Sequence, residues 1–300
     1  PVPEGADAII MHERTSFTEN TVTLTAPVIS ANIIPPGEDV AAGTLLVPKG
    51  KILTASDLAL IAGQGIAEIG VYKKLSIGLI STGSELLNTG SPLEYGKIYN
   101  TNPYLLGGYI QKHHMTANYL NTVSDDLDSL CRAVLDALKT NDIVITTGGV
   151  SAGDFDYMPE VIRRIGGDLL FHRLKFKPGG AMLGAFKDGK VILGLSGNPG
   201  AAATGLLCVG FPFMRKLSGR SDITFSQATA YLGVDFKKSS PVTRILKGHS
   251  DFKNGMLYFT PLSNQHNGSV SSMSDCDLLA VIPAGSKPLA AGDKLEVYIL

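Results

Sequence analysis

The chain has 300 residues, 44% hydrophobic and 18% charged, which excludes a disordered polypeptide and allows about two domains at roughly 150 residues each. Lys and Arg total 26 against 27 Asp and Glu, for a net charge of -1. That balance removes the basic footprint of a nucleic-acid binder and of a segment held on an anionic membrane.

Residues 1–36 read as strand-rich. Ala8–Met11 is an apolar run, and Thr21–Leu24 alternates threonine with apolar residues before Pro35-Pro36-Gly37 breaks the chain. Opening at Pro1 without Met, the chain reads as mid-domain sequence, so a trimmed or partial chain is expected. Residues 37–72 form a small unit. Thr54 and Ser56 are helix-start candidates with Asp57 in the first turn, and Leu58, Ile61 and Ala62 make an inner face. A short strand, 66–71, follows.

From Leu75 the pattern alternates. Strands are expected at 75–80, 116–122, 142–146, 168–172 and 191–195. Helices are expected at 103–112, 125–138, 158–165 and 199–217. This is the signature of a doubly wound, mostly parallel sheet. After Gly219 the alternation stops, and five short strands at 228–236, 243–247, 256–262, 277–282 and 294–300 predict a small all-β domain. The most apolar stretch, 200–213, falls short of the about 20 residues that span a bilayer. No secretory signal is visible. Cys131, Cys208 and Cys276 match no zinc spacing and no disulfide framework, so a reducing cytoplasm is the expected compartment.

Ligands of open α/β sheets bind beyond the carboxyl ends of the strands. Three strand exits here pair Ser or Thr with glycine: Ser81-Thr82-Gly83-Ser84-Glu85, Thr147-Gly148-Gly149-Val150-Ser151, and Ser196-Gly197-Asn198-Pro199. Each alone reads as a tight turn; three in one sheet favour a phosphate-bearing ligand. Neither a G-x-G-x-x-G nor a Walker pattern is present. Asp154 reads best as a helix N-cap, whereas Asp156 is placed to hold Mg²⁺ beside a phosphate loop. Glu85 suits a first helical turn or the same crevice equally. Asp125-Asp126 reads as an N-cap pair. Arg173, Lys175 and Lys177 alternate, which predicts one cationic side of a strand, either an anion site or a protected edge.

The ordered set Pro36-Gly-Glu-Asp39, Ser81-Thr-Gly-x-Glu-Leu86, Ile98-Tyr-Asn-Thr-Asn102, Thr147-Gly-Gly-Val-Ser-x-Gly-Asp-x-Asp156, Lys177-Pro-Gly179 and Gly197-Asn-Pro199 resembles the MoeA family. These are molybdopterin molybdenumtransferases related to the carboxy-terminal domain of gephyrin. The likeness covers nearly the whole chain. It implies four parts: the end of a β-rich lid subdomain (1–36), part of a linking subdomain (37–72), the molybdopterin-binding α/β domain (73–219) and a C-terminal β-barrel-like domain (220–300). It also implies that roughly the first hundred residues of the family pattern are missing (a domain-sized segment).

The implied reaction inserts molybdate into adenylated molybdopterin and releases AMP, with Mg²⁺ assisting, in a homodimer that also works with a MogA-like adenylyltransferase. By the resemblance, Asp156 would hold Mg²⁺. Glu85, Asp126, Lys177 and Asp39 would be catalytic, Asp39 reaching the cleft of the second copy. Thr82, Gly83, Gly148, Gly149, Ser151, Arg173, Lys175, Ser196, Gly197 and Asn198 would bind the substrate. The sequence departs from the family at Ser84, Gly180, Ala181, Gly200 and Ala201. The family's usual Lys and Pro at 180–181 and Ser at 201 lie where molybdate would be held. Adenylyl transfer to molybdopterin and a non-enzymatic pterin-binding scaffold are the alternatives.

Overall fold

The computed structural model describes residues 2–27, 33–150 and 156–300. The chain divides into two compact units, Pro1–Pro48 with Leu53–Glu68, and Lys49–Ile52 with Ile69–Leu300.

In the first unit, strands β1 (Thr15–Phe17) and β2 (Val22–Leu24) form an antiparallel hairpin. The Ala8–Met11 run forms no strand. Helix α1 (Ala55–Gly63) starts at Thr54 through a reciprocal cap. The Asp57 amide donates to the Thr54 hydroxyl at 3.3 Å, and the Thr54 amide donates to the Asp57 carboxylate at 2.9 Å. Its buried positions are Asp57 and Ile61. Leu58 is 52% exposed and Ala62 is also exposed, so the apolar spacing overstated this face. Residues 66–71 form no strand either, because no neighbouring strand pairs with them.

The second unit runs β3 (Ser76–Ser81), β4 (Leu86–Leu87), β5 (Ile98–Tyr99), α2 (Asn102–Lys112), β6 (Thr116–Tyr119), α3 (Leu127–Thr140), β7 (Ile143–Thr147), α4 (Met158–Arg164), β8 (Asp168–His172), β9 (Phe176–Lys177), β10 (Leu183–Lys187) and β11 (Lys190–Leu195). A long helix then begins as α5 (Pro199–Gly205), passes through a wider turn at Leu206–Gly210 and ends as α6 (Phe211–Leu217). The wide turn sits just before Pro212, which has no N–H to give to the carbonyl four residues back.

The sheet order is β6-β3-β7-β11-β10-β8, with the first four strands parallel. Ile77, Leu79, Ile143 and Ile145 face α2, α5 and α6 on one side. Ile80, Val144 and Ile192 face α3 and α4 on the other. Burial on both faces is why these strands read as unbroken apolar runs. β10 was not expected. It forms an antiparallel hairpin with β11 through Asp188-Gly189, both at positive φ, and that dipeptide was the available signal.

β12 (Gln227–Leu232), β13 (Thr243–Lys253), β14 (Met256–Pro261), β15 (Leu278–Ile282) and β16 (Lys294–Ile299) make the C-terminal sheet, with helix α7 (Ser271–Ser274) before β15. β14 pairs with both β12 and β13, so the five strands close into a barrel around Ala230, Leu246, Phe259, Ala280 and Val297.

The expected cationic strand 173–177 does not exist. β8 ends at His172, Arg173 turns into the left-handed region at φ 66, and Phe176–Lys177 pair with β13 of the barrel. The three cations therefore share no strand face. Among the described residues no helix is long and apolar enough to cross a membrane.

Candidate active site in the α/β domain

The chain leaves β3 toward β6 on one side and then returns to β7 on the other. The strand order thus reverses between β3 and β7, and a crevice opens beyond their carboxyl ends. Three of the glycine loops meet there. The Thr82 amide donates to the Thr147 carbonyl at 2.9 Å, and the Gly148 amide donates to the Leu195 carbonyl at 3.0 Å. Gly148 has φ +99, and a Cβ on it would stand 2.5 Å from Thr82 Oγ1 and 2.7 Å from the Thr82 carbonyl. A Cβ on Gly197 would stand 3.7 Å from the Gly148 Cα. At Gly148 the turns leave no room for a side chain, so backbone amides can approach an anion closely there.

Beneath the loops lies a buried polar chain. Thr147 Oγ1 donates to Ser81 Oγ at 3.2 Å, Ser81 Oγ donates to Asn100 Oδ1 at 3.3 Å, and Asn100 Nδ2 donates to Thr122 Oγ1 at 3.2 Å. Asn102 Nδ2 donates to the Gly197 carbonyl at 2.8 Å and holds the third turn. Thr82 Oγ1 and Asn102 Oδ1 are buried with no partner among the described residues. Asn100 and Asn102 stood inside a quoted motif, yet side-chain chemistry alone gave them no role. The tertiary contact does.

Glu85 is exposed and its carboxylate folds back over Gly83, where a Cβ would meet it at 2.6 Å. No helix follows directly, so the first-turn reading of Glu85 fails; β4 comes next. Lys97 Nζ donates to the Ser84 carbonyl at 2.6 Å, and the Ser84 amide donates to Asp125 Oδ2 at 3.1 Å. Asp125 and Lys97 therefore join the first loop.

Asp126 is the N-cap of α3. Its carboxylate accepts from Ser124 Oγ at 2.7 Å and from the Ser129 amide at 2.9 Å, and these bonds hold its pKa down to about 2. The cap's contribution to stability is thus complete above about pH 4 and fades as pH falls toward 2. Asp126→Asn is expected to keep the melting temperature, because Asn caps as well, whereas Asp126→Ala lowers it. If Asp126 is also chemical, the Asn variant loses turnover at unchanged stability; equal turnover in wild type and Asn variant leaves Asp126 as a cap alone.

Asp156 is 15% exposed. Its Oδ2 lies 3.2 Å from Arg173 Nη2 and 3.3 Å from His172 Nε2. Its Oδ1 is buried and has no hydrogen-bond partner among the described residues. A buried carboxylate oxygen without a partner among the described residues, beside a glycine loop, fits Mg²⁺, which needs few protein ligands when substrate oxygens and water complete the shell. Ser151 and Asp154 lie outside the described residues.

Lys175 and Lys177 are exposed, Lys177 within β9. The turn after Lys177 packs along α5: a Cβ on Gly179 would meet the Gly205 amide nitrogen at 2.7 Å. A Cβ on Gly180 would stand 2.2 Å from the Phe176 carbonyl oxygen. A lysine at 180 therefore requires the turn to open. Asn198 is the N-cap of α5 by backbone geometry, yet its side chain makes no cap bond. Asp39 is exposed in the first unit.

The switch-point crevice and its glycine loops define an α/β domain of the open-sheet, ligand-binding class, followed by a barrel. Residues 78–216 match the probable molybdopterin binding domain, 1–65 the MoeA N-terminal region (domains I and II) and 229–300 the MoeA C-terminal region (domain IV). The molybdopterin molybdenumtransferase of Staphylococcus aureus (strain MRSA252) is 34% identical over 99% of this chain and 71% of its own. That of Bacillus subtilis (strain 168) is 35% identical over 100% and 71%. The crystal structure of the molybdopterin biosynthesis MoeA protein from Pyrococcus horikosii superposes with a TM-score of 0.85 at 26% identity, over 99% of this chain and 73% of that one. The chain belongs to the MoeA family of molybdopterin molybdenumtransferases.

Proposed function

We propose that the chain works in molybdenum cofactor biosynthesis, inserting molybdate into adenylated molybdopterin and releasing AMP. The observation that carries the reading is the meeting of three glycine loops at the β3/β7 switch point, in a chain of this family. In this reading the pyrophosphate lies across Thr82-Gly83, Gly148-Gly149-Ser151 and Ser196-Gly197-Asn198. The unpartnered Thr82 hydroxyl is a donor for it. Asp156 would hold Mg²⁺ through its free oxygen, with His172 and Arg173 keeping the carboxylate oriented. When bound, that ion offsets charge developing on the phosphate leaving group. Glu85 and Asp126 border the first loop, Lys177 and Arg173 offset oxyanion charge with Lys175 further out, and Asp39 comes from a second copy in a homodimer. We extend the reading to the four-part division at 36, 72 and 219, a cytoplasmic location and a MogA-like partner. The three free cysteines agree with the location.

One observation favours a pterin-binding role without metal insertion: Gly180 has no room for a side chain, and Ala201 is 4% exposed, where the family pattern has a cation and a hydroxyl. The deciding assay supplies the full protein with pterin adenylate, molybdate and Mg²⁺ and follows AMP. Release that needs molybdate supports insertion. Consumption of ATP in a parallel reaction given molybdopterin and ATP points to adenylyl transfer, and binding without turnover in either points to the scaffold.

Lys177→Ala is expected to weaken nucleotide binding by ~10–100-fold, the worth of one charge-assisted hydrogen bond. Lys175→Ala, outside any strand, should cost less. Calorimetry decides; equal small losses would make both lysines solvated surface.

A further inference from the structure

Lys247, on β13, has no solvent exposure. Its Nζ donates to Ser272 Oγ at 2.5 Å and to the His266 carbonyl at 3.2 Å, and among the described residues no carboxylate pairs with it. Its backbone is equally committed. The Lys247 amide donates to Gln265 Oε1 at 3.1 Å, and Gln265 Nε2 donates back to the Lys247 carbonyl at 2.6 Å and to the Leu262 carbonyl at 2.9 Å. Ser272 Oγ donates in turn to the Ser269 carbonyl at 2.6 Å. The lysine thus ties the 262–272 segment down at several points.

An ammonium buried among neutral acceptors is a costly way to stabilise a core, since an apolar side chain of similar length would fill the space without desolvating a charge. What the ammonium does achieve is placement. In the segment it holds, the Asn267 carbonyl accepts the Gly200 amide at 2.8 Å. Gly200 follows Pro199 at the start of α5, directly after the third glycine loop. A Cβ on Gly200 would stand 3.0 Å from the Asn267 carbonyl oxygen and 3.1 Å from Lys247 Nζ, and a Cβ on Gly268 would stand 3.5 Å from Asn198 Oδ1. Lys247, Asn267 and Gly200 therefore meet at one point, where the barrel abuts a loop of the candidate site.

We propose that Lys247 is a positioning residue for that site: by holding residues 266–272 it makes the barrel fix the Ser196–Gly200 turn opposite Gly148. The inference rests on the reading of the three-loop crevice as the nucleotide site. It has consequences that a purely stabilising lysine would not have. Lys247→Met leaves the protein as stable as wild type or more so, yet frees the turn.

The test uses the full chain, with AMP as the probe. In Lys247→Met we expect amide exchange at Gly200 to accelerate about tenfold or more as the tie opens locally, and AMP affinity to fall by about tenfold as the turn drifts. The melting temperature holds or rises. If that variant does not fold, Ser272→Ala removes one acceptor of the ammonium and should move both readouts the same way, by about threefold. Faster exchange at Gly200 with unchanged AMP affinity overturns the positioning role, as does a folded variant with both readouts within twofold of wild type. Gly148→Ala separates the two levels of the argument. If it binds AMP like wild type, the crevice reading fails, and Gly200 exchange in Lys247→Met still decides whether the lysine holds the turn.

Discussion

Gly148→Ala should bind the pterin nucleotide at least ~10²-fold more weakly than wild type, the cost of moving a reacting group by about an ångström. The residue sits at φ +99, where any side chain is strained by about 1–3 kcal/mol. A Cβ would also enter contact at 2.5 Å with Thr82 Oγ1 and 2.7 Å with the Thr82 carbonyl. Neither atom is the far end of a flexible chain. Relief requires the first and second loops to part, at the place where they must jointly face the anion. Gly189→Ala is the matched control. It sits at φ +78 in the β10–β11 turn with nothing within 4 Å of its Cβ, so it carries the strain without the overlap. Calorimetry with AMP should find Gly189→Ala like wild type and Gly148→Ala nearly silent. Equal affinities in both would place the ligand elsewhere.

Asp156→Ala carries the second large effect. The substitution removes Oδ1, which has no partner among the described residues, strips Arg173 of its hydrogen-bonded carboxylate and takes the nearby charge away from His172. Loss of a metal-holding carboxylate removes about several kcal/mol of transition-state charge stabilisation, which is on the order of 10²-fold or more in rate. Asp156→Asn keeps the shape and an acceptor for Arg173 while losing the charge, so its rate should fall nearly as far and its fold should be better preserved. The measurement is AMP release as a function of Mg²⁺. A near-wild-type rate at limiting Mg²⁺ would remove Asp156 from the metal site and leave it as the anchor of Arg173.

Local rules carried much of the architecture. Apolar runs at 75–80, 142–146 and 191–195 were legible as strands because burial on both faces leaves no room for alternation. Thr54 with Asp57, and the Asp125-Asp126 pair of which Asp126 is the cap, were legible as helix starts because capping bonds span only three residues. The glycine loops were legible as tight strand exits, and it was their number in one sheet, not any single loop, that suggested a phosphate-bearing ligand. The family followed from the order of those motifs along the chain.

What the sequence could not determine was which groups would meet. The period of 173–177 favoured one cationic strand, but pairing with β13 outweighed it and drew Phe176–Lys177 into the barrel, leaving Arg173 on Asp156. The 66–71 run had strand-like residues and no partner to pair with; a strand exists only through its neighbour's hydrogen bonds. Asn100, Asn102 and Lys247 looked like ordinary polar residues. Their roles depend on contacts 19 to 95 residues away along the chain, with Ser81, Gly197 and Ser272. Composition and local spacing determined the elements and the loops. Only tertiary packing, which sets long-range contacts by shape and by hydrogen-bond satisfaction, decided which polar side chains stand under the crevice and which lysine holds its far wall.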